Sequence, residues 1–457
     1  MKSYPTENIR NIVLVGHGGA GKTSLAEALL FRSGATTRMG RITEGNTVCD
    51  FDEEEIRKGI SVSTALAPIE WDGHKINVLD APGYADFVSE MRSAMRVADL
   101  AVFVVSAVEG LEVQTQVACN YAEELSLPRI VFVNKVDREN SSFRNTLEQL
   151  RAAFGMGIAP LSLPLGREHD FRGVISVIDQ AAFGYDEHGK PAEEPIPEER
   201  QARVDEVRTA LLDSVAETND ELLERYLESG EIEREEVVRS LHDGLAGATI
   251  YPVVVGSATK LIGVDRLADI IVAAGPSPLD RAPAEGIDGS TREPKPDAPM
   301  SALVFKTMTD PYVGRVSFFR VFSGILKGET ALHNSTQNTD ERVGHVFTMR
   351  GKTQEQLSEI VAGDIGAVAK LTHTVTGDTL SDKASPIVYP GIEPPEPLLP
   401  KAIQPRTKGD EDKLMTGLQK LIEEDPSLRL DRSDETHQMI LWGMGDAHLD
   451  VALERLK

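Results

Sequence analysis

A run of residues near the N-terminus reads Ile12-Val13-Leu14-Val15-Gly16-His17-Gly18-Gly19-Ala20-Gly21-Lys22-Thr23. The four apolar residues predict a strand buried on both faces. The glycine-rich loop fits the phosphate-loop pattern, in which backbone N–H groups surround a phosphate at the start of a helix. In that pattern the lysine charge lies between the β- and γ-phosphates, and the threonine hydroxyl ligates Mg²⁺. The candidate phosphate-binding residues are Gly16, His17, Gly18, Gly19, Ala20, Gly21, Lys22, Thr23 and Ser24, with Lys22 also a catalytic candidate.

Further strands of the same kind follow along the first 280 residues. The near-continuous apolar runs lie at residues 76–79, 100–105, 130–133 and 252–255. Helical patterns come after most of them, which is typical of a doubly wound, mostly parallel α/β sheet. We therefore predict a first domain at residues 1–280, with an acidic helical insertion at about 160–250.

A second phosphate motif, Asp80-Ala81-Pro82-Gly83, follows the apolar run at 76–79. An acid at this position holds Mg²⁺ through a water molecule, and the N–H of Gly83 meets a γ-phosphate. Ligands of open α/β sheets bind at the carboxyl ends of the strands. The motif therefore predicts that Asp80, Ala81, Pro82 and Gly83 share one site with the glycine-rich loop.

A base-reading motif, Asn134-Lys135-Val136-Asp137, follows the apolar run at 130–133. The carboxylate of Asp137 accepts from both the ring N–H and the amino group of guanine, a pair that adenine does not offer. An unpaired buried acceptor disfavours the wrong base by ~1–3 kcal/mol. The motif predicts GTP and GDP as ligands. We expect the later turn Gly256-Ser257-Ala258 to add backbone N–H groups toward the guanine carbonyl.

The segment Arg57-Lys58-Gly59-Ile60-Ser61 lies between the two phosphate motifs in an acidic stretch. A hydroxyl there, that of Ser61, would complete the Mg²⁺ shell begun by Thr23 and Asp80 when a γ-phosphate is present. Its release after hydrolysis would make the segment an order–disorder switch. An ordinary surface loop is an equally good interpretation of these residues.

Composition excludes several protein classes. The chain has 457 residues, two cysteines and a formal net charge of −25. No stretch approaches the ~18 apolar residues of a membrane helix, two cysteines make no disulfide framework, and an acidic chain has no general affinity for nucleic-acid backbones. We expect a cytoplasmic, monomeric protein without membrane association. Residues 186–243 hold 19 acidic against 7 basic residues, which indicates either a solvated helical face or a docking surface for a basic partner.

Two proline-rich linkers divide the rest of the chain. Residues 276–299 precede short alternating runs separated by glycine turns, which predict a small antiparallel β-barrel at 296–390. After the second linker, residues 398–457 follow the order strand, helix, two strands, helix, as in a ferredoxin-like α+β domain. A split βαβ unit closes with one further strand, so we expect this third domain to be incomplete.

The ordered motifs resemble those of the translational GTPases, and among them elongation factor G, over nearly the entire chain. Residues 256–258 and two further runs carry the resemblance: residues 106–115 and Gly443-Met444-Gly445-Asp446-Ala447-His448-Leu449. The resemblance implies hydrolysis of GTP to GDP and phosphate with Mg²⁺. It also implies binding to the ribosome, with the acidic insertion facing the stalk proteins. The family has fourth and fifth domains that drive translocation. We expect residues 1–457 not to include them.

The chain departs from the family pattern at three positions. Gly19 stands where the family has Asp, Ser61 where it has Thr, and Tyr84 where it has the His that orients the attacking water. With these departures the chain resembles an elongation factor G-like paralogue. They predict weakened hydrolysis, with Tyr84 as the catalytic candidate. The alternative is a GTP/GDP-gated binding switch with little hydrolysis, acting in ribosome recycling or protection. A metabolic kinase has little support, because no segment resembles a small-substrate site.

Overall fold

The first part of the chain alternates strands and helices, as the sequence predicted. A computed structural model describes residues 2–310, 313–405, 410–433 and 438–456. The elements up to residue 160 are β1 (Ile9–Val15), α1 (Lys22–Arg32), α2 (Glu53–Lys58), β2 (Ala65–Trp71), β3 (His74–Asp80), α3 (Val88–Arg96), β4 (Leu100–Ser106), α4 (Val113–Glu124), β5 (Arg129–Asn134), α5 (Phe143–Phe154) and β6 (Ile158–Pro160).

The insertion contains strands as well as helices, which corrects the prediction of a helical segment at about 160–250. Four strands form an antiparallel sheet in the order β10-β9-β8-β7, and three helices follow it. The elements are β7 (Ser162–Leu165), β8 (Gly173–Ser176), β9 (Ala181–Tyr185), β10 (Pro191–Glu194), α6 (Glu198–Ala216), α7 (Asp220–Ser229) and α8 (Arg234–Ala246). Strands this short carry too few residues for a clear alternating pattern, so pairing between neighbours determines them.

The chain then returns to the central sheet through β11 (Tyr251–Val255) and α9 (Val264–Ala273). The strand order is β2-β3-β1-β4-β5-β11-β6. Among these described strands only β2 is antiparallel to its neighbour, and every residue of β1, β4 and β5 is buried. The predicted mostly parallel α/β class is confirmed. No helix in the described part of the chain has both the length and the apolar character to cross a membrane.

Antiparallel strands make up the β-rich domain, which spans residues 284–381. The strand order of its main sheet is β18-β17-β23-β14-β15-β22-β19-β20, with the pairs β12-β13 and β16-β21 beside it. The strands are β12 (Ala284–Glu285), β13 (Thr291–Arg292), β14 (Ser301–Asp310), β15 (Gly314–Ser323), β16 (Ile325–Lys327), β17 (Ala331–Asn334), β18 (Thr339–Arg342), β19 (Val346–Arg350), β20 (Thr353–Gln356), β21 (Glu359–Val361), β22 (Ile365–Ala369) and β23 (Thr379–Ser381).

The final segment has the predicted order strand, helix, strand, strand, helix. Its antiparallel sheet, β24-β26-β25, is covered by two helices around Leu418, Leu441 and Leu449. The elements are β24 (Leu399–Ile403), α10 (Glu411–Glu424), β25 (Arg429–Arg432), β26 (Met439–Gly443) and α11 (Asp446–Arg455). Of the predicted domain 398–457, residues 406–409, 434–437 and 457 lie outside the described residues.

A buried ion pair joins the central sheet to the β-rich domain. The ammonium of Lys75, at the start of β3, lies 2.8 Å from both carboxylate oxygens of Asp364, and the Asn77 amide donates to the same carboxylate at 2.8 Å. The side chains of Lys75 and Asp364 are 1% and 4% exposed. Removing one partner of such a pair leaves an uncompensated buried charge, at a cost of about 3–5 kcal/mol.

The start of β1 and the residue before β4 join the same interface. The Asn11 amide donates to the carbonyl of Gly363 at 2.6 Å and to Asp99 at 2.8 Å. Asp99 pairs in turn with Arg320 of β15 at 2.7 Å. These contacts hold the amino ends of β1, β3 and β4 against the β-rich domain.

The insertion and the first linker meet at His242 of α8. Its Nδ1 lies 3.2 Å from the carbonyl of Ala274, and its Nε2 lies 3.6 Å from the carboxylate of Asp280. Both ring nitrogens therefore face acceptors, and only the doubly protonated imidazolium donates to both. The contact with Asp280 accordingly raises the pKa of His242 above 6.5.

We expect the contribution of His242 to the stability of the fold to decrease as the pH rises. A folded pKa above the unfolded value gives stabilisation that is complete below about pH 6.5 and is lost as pH rises through the folded pKa. The difference in urea midpoint between wild type and His242→Gln should therefore shrink between about pH 6 and pH 9. His188→Gln, at an imidazole that is 80% exposed, is the matched control. Parallel pH profiles for wild type and His242→Gln would contradict the assignment.

Candidate nucleotide-binding site

The glycine-rich loop connects β1 to α1 with the geometry that its glycines allow. Gly16 and Gly21 have φ values of 142° and 101°, a region that favours glycine. A Cβ at Gly16 would overlap the carbonyl of Val104, and one at Gly21 would overlap the Asn134 amide. Thr115 holds the loop from α4 by accepting from the N–H of His17 at 3.2 Å. The two glycines are thus required by close approach as well as by backbone conformation.

The Lys22 side chain turns back into the loop. Its ammonium donates to the carbonyl oxygens of Gly16 and His17, both at 3.0 Å, and the residue is 5% exposed. Burial lowers its pKa to about 8, against the opposing effect of Asp80 and Asp50. A partly desolvated cation at the start of a helix attracts an anion strongly.

A hard cation fits the group formed by Thr23, Ser61, Asp80 and Asp50. The Thr23 and Ser61 hydroxyls lie 3.1 Å apart. Both carboxylate oxygens of Asp80 are buried without a hydrogen-bond partner of good geometry among the described residues. Burial, reinforced by Asp50 and opposed by the nearby Thr23 hydroxyl, raises the pKa of Asp80 to about 7. An unpaired buried carboxylate beside two hydroxyls is the donor chemistry that Mg²⁺ takes, with its remaining ligands from phosphate and water.

The predicted metal ligands Thr23, Ser61 and Asp80 therefore come together in space. No group of three or more His, Cys, Asp or Glu side chains in the described ranges is arranged to hold a metal ion. A cation here would accordingly depend on hydroxyl and phosphate oxygens. Asp50, whose pKa is raised by burial, is an additional acid that the sequence analysis did not single out, although it begins the acidic stretch before Ser61.

Asn134 links the base-reading motif to the glycine-rich loop. Its amide nitrogen donates to the carbonyl of Ala20 at 3.0 Å, and its amide oxygen accepts from the N–H of Ala258 at 3.0 Å. Asp137 is 8% exposed, and its Oδ1 is buried without a hydrogen-bond partner in the described part of the chain. The Lys135 backbone has a positive φ of 62°, and its ammonium lies 3.4 Å from Glu109.

The turn at residues 256–258 corrects one prediction. We expected its N–H groups to face the guanine carbonyl. Instead Gly256 donates to the carbonyl of Val133, Ser257 to that of Ile262 and Ala258 to the side chain of Asn134, at 2.9, 3.0 and 3.0 Å. The first bond continues the strand pairing, and the second closes a turn. All three N–H groups are therefore used by protein acceptors and support the site indirectly. Thr259, the next residue, lines the cavity instead.

A cavity of about 200 Å³ lies where these segments meet. The predicted residues that line it are Gly18, Gly19, Gly21, Lys22, Thr23, Ser24, Ser61, Gly83, Tyr84, Asn134 and Lys135. The other predicted residues do not line it: Gly16, His17, Ala20, Asp80, Ala81, Pro82, Val136, Asp137, Gly256, Ser257 and Ala258. Lining residues that the sequence analysis missed are Ile42, Asp50, Gly59, Ile60, Arg138 and Thr259.

Gly83 and Tyr84 line the cavity beside Lys22 and Gly18. A Cβ at Gly83 would overlap the Lys22 ammonium and lie 2.6 Å from the carbonyl of Gly16. The Tyr84 ring covers Gly18, where an added Cβ would lie 2.8 Å from ring carbons. Tyr84 nevertheless remains 43% exposed. Tyr84 therefore lies over the glycine-rich loop.

Two buried glutamates order the segments around the cavity. Glu27 of α1 accepts from the N–H groups of Gly40, Val48 and Cys49 at 3.1, 2.6 and 3.3 Å. Glu55 of α2 accepts from the backbone N–H groups of residues 62 and 63 at 3.0 and 3.2 Å, and burial raises its pKa to about 8. Glu27 could have been found from the sequence, because it is an acidic residue within the apolar helix that follows the loop.

Helix α11 of the final segment contacts the residues after Tyr84. One carboxylate oxygen of Asp86 accepts from the N–H groups of Ala447 and His448 at 2.9 and 3.2 Å. A negative charge at a helix N-terminus stabilises otherwise unpaired N–H groups. Nδ1 of His448 accepts from the N–H of Met444 at 3.0 Å, so Nε2 carries the proton and donates to Asp425 at 2.7 Å.

The same helix also contacts the segment that carries Ser61. Around a small buried cluster, Arg455 of α11 pairs with Asp52 at 2.8 Å and Glu454 pairs with Arg57. Both segments that flank the cavity thus pack on one helix, and neither contact was evident from the sequence. The members of the cluster are Val62, Phe87 and Val451, with Ile60 and Ala447 packed against them.

Comparisons with known proteins agree with this architecture. Residues 7–277 match the elongation factor Tu GTP binding domain, 299–383 match elongation factor G domain 2, and 394–457 match elongation factor G domain III. The chain belongs to the elongation factor G family of translational GTPases. A crystal structure of a protein from Thermus thermophilus is similar, with 38% sequence identity and a TM-score of 0.90. The match covers 98% of this chain and 66% of that one.

We expect Gly83→Ala to weaken GDP binding at least about tenfold, because the new methyl group would overlap the Lys22 ammonium and displace it within the cavity. Isothermal titration calorimetry with GDP and Mg²⁺ measures the effect. Gly344→Ala is the matched control, since a Cβ there meets no atom within 4 Å. Unchanged affinity in Gly83→Ala would contradict this arrangement of Lys22.

Proposed function

We propose that the chain binds GTP and GDP with Mg²⁺ in the cavity at the carboxyl edge of the central sheet. The observation that supports this most strongly is a set of buried charged groups whose hydrogen bonds among the described residues are incomplete. In that part of the chain, both oxygens of Asp80 and Oδ1 of Asp137 lack a hydrogen-bond partner, Oδ2 of Asp137 lies 3.9 Å from Arg138, and the Lys22 ammonium is held by carbonyl oxygens. Buried charges are costly unless paired. A magnesium-bound guanine nucleotide supplies a cation for Asp80, phosphates for Lys22 and donors for Asp137.

The residue roles follow from this placement. The loop at residues 16–24 and Gly83 hold the phosphates, while Thr23, Ser61 and Asp80 hold Mg²⁺, with Asp80 acting through water. Asp137 reads the base, Lys135 and Arg138 flank it, and Asn134 with residues 256–258 positions the loop behind it. When bound, Mg²⁺ neutralises charge on the β- and γ-phosphate oxygens during hydrolysis.

We propose that hydrolysis of GTP to GDP and phosphate is slow at this site. Tyr84 occupies the position where the family carries a water-orienting histidine, and its ring lies over Gly18. A phenol is uncharged at pH 7, so it orients water without the electrostatic help of an imidazolium. A positioned acid or base contributes about 10²–10⁴-fold in rate. Lys22 still stabilises charge on the phosphates.

A second proposal is a binding switch that is gated by GTP and GDP and hydrolyses little. The contacts of helix α11 with Asp52, Arg57 and Asp86 favour it. A change in the segments around the γ-phosphate would alter these contacts and move the third domain. Such a switch would act in ribosome recycling or protection, whereas the first proposal also allows an elongation role.

The partners are proposed from family membership. We propose that the chain acts on the ribosome as a cytoplasmic monomer and that its acidic insertion meets the stalk proteins. Leu227 in this insertion is 74% exposed, which supports a contact surface there. The proposed domains are 1–280, 296–390 and 398–457, divided by the two proline-rich linkers.

Tyr84→His should raise ribosome-stimulated, single-turnover GTP hydrolysis by about 10²-fold or more and leave GDP affinity unchanged. The reason is that the imidazole restores a charged group beside the attacking water. Rapid-quench assays with and without ribosomes measure both rates.

Tyr84→Phe is the matched control, because it keeps the ring over Gly18 and removes the hydroxyl. A rate in Tyr84→His equal to wild type with ribosomes present would overturn the role of Tyr84. Nucleotide-dependent ribosome binding without hydrolysis in either protein would favour the switch proposal.

A further inference from the structure

A second cavity, of about 270 Å³, lies where the central sheet, the first linker and the β-rich domain meet. Four arginines from these three parts line it: Arg96 ends α3, Arg281 and Arg292 belong to the linker region, and Arg320 lies in β15. It shares no lining residue with the cavity at Lys22. A cluster of four guanidiniums contrasts with a chain whose net charge is −25.

The acids that line this cavity do not balance the arginines. Asp99 is buried, but it already pairs with Arg320 at 2.7 Å and accepts from Asn11 at 2.8 Å. Glu285 lies on the exposed side of the cavity. The lining therefore has two more positive than negative side chains in a partly desolvated space.

Several guanidinium donors in the cavity have no acceptor in the described part of the chain. Arg320 is 4% exposed, and its Nε is buried without a hydrogen-bond partner. The Nε of Arg292 is also buried without one, although its terminal nitrogens donate to Ser385 and to the carbonyl of Thr291. The Arg96 side chain makes no hydrogen bond or ion pair to any residue that the structure describes. Unpaired buried donors are costly, and an anion would satisfy them.

Electrostatics within the cluster agree with the geometry. Burial lowers the pKa of Arg96 and that of Arg281, and the charge of Arg320 lowers both further, although Tyr121 and Tyr389 oppose the effect on Arg96 and Asp99 opposes that on Arg281. Their guanidiniums therefore repel one another in a poorly solvated space. An anion between them would remove both penalties at once.

We propose that this cavity binds a small phosphate-bearing anion, held by Arg96, Arg292 and Arg320. A tetrahedral phosphate presents several oxygens that accept from guanidiniums in different directions, often in pairs. The bound anion would join α3, the linker and β15, and so stabilise the contact between the first two domains.

The test uses the full chain saturated with GDP in excess Mg²⁺, so that the Lys22 cavity is filled. Inorganic phosphate and pyrophosphate are titrated by calorimetry at constant ionic strength, with chloride as the balancing anion. We expect saturable binding of one or both anions and a rise in melting temperature. Arg96→Gln and Arg292→Gln should each weaken binding at least about tenfold.

Arg92→Gln is the matched control. Arg92 lies one turn earlier on α3, stacks on Tyr121 at 5.1 Å and does not line the cavity. The Arg92→Gln variant should bind the anion with the affinity of wild type. Retained GDP affinity and an unchanged melting temperature without anion show that each variant is folded. Absence of saturable binding in wild type, or equal affinity in Arg96→Gln, Arg292→Gln and wild type, would overturn the proposal.

Discussion

The buried ion pair between Lys75 and Asp364 holds in place the strands that carry the nucleotide site. Lys75 is the second residue of β3, and Asp80 ends the strand. Asn11, bonded to Gly363, lies in β1, whose carboxyl end leads into the glycine-rich loop. Asp99, paired with Arg320, precedes β4. A seven-residue strand spans about 23 Å, so the β-rich domain holds these strands at one end while their other ends lead to the residues that we propose to bind phosphate.

At the carboxyl ends of the strands, the structure gathers buried charged groups whose hydrogen bonds within the described part of the protein are incomplete. Asp80 and Asp137 keep unpaired carboxylate oxygens, and Lys22 is held by carbonyl oxygens. The segments beside them rest on helix α11 through Asp86 and the cluster around Phe87. A ligand that neutralises those charges therefore acts on segments that line the site and also contact the third domain. This coupling is what both functional proposals share.

Local patterns in the sequence predicted the parts of this account that depend on local chemistry. Apolar runs such as residues 100–105 identify the strands, and the glycines at 16 and 21 identify the loop. The short strand β10, Pro191–Glu194, has no such pattern and was missed. The turn at 256–258 was placed correctly, but its N–H groups are used by protein acceptors. The contacts of Lys75 with Asp364 and of Asp86 with Ala447 join residues far apart in sequence, which no local pattern indicates.

The most direct test of guanine recognition is competition between GDP, ADP and xanthosine diphosphate for wild type and Asp137→Asn. The carboxylate of Asp137 accepts two donors from guanine, whereas an asparagine amide accepts one and donates one, which matches xanthine. Wild type is expected to prefer GDP over ADP, and the variant is expected to bind GDP about 10–100-fold more weakly and to gain affinity for xanthosine diphosphate. Unchanged GDP affinity in the variant, or ADP binding equal to GDP in wild type, would contradict guanine recognition by Asp137.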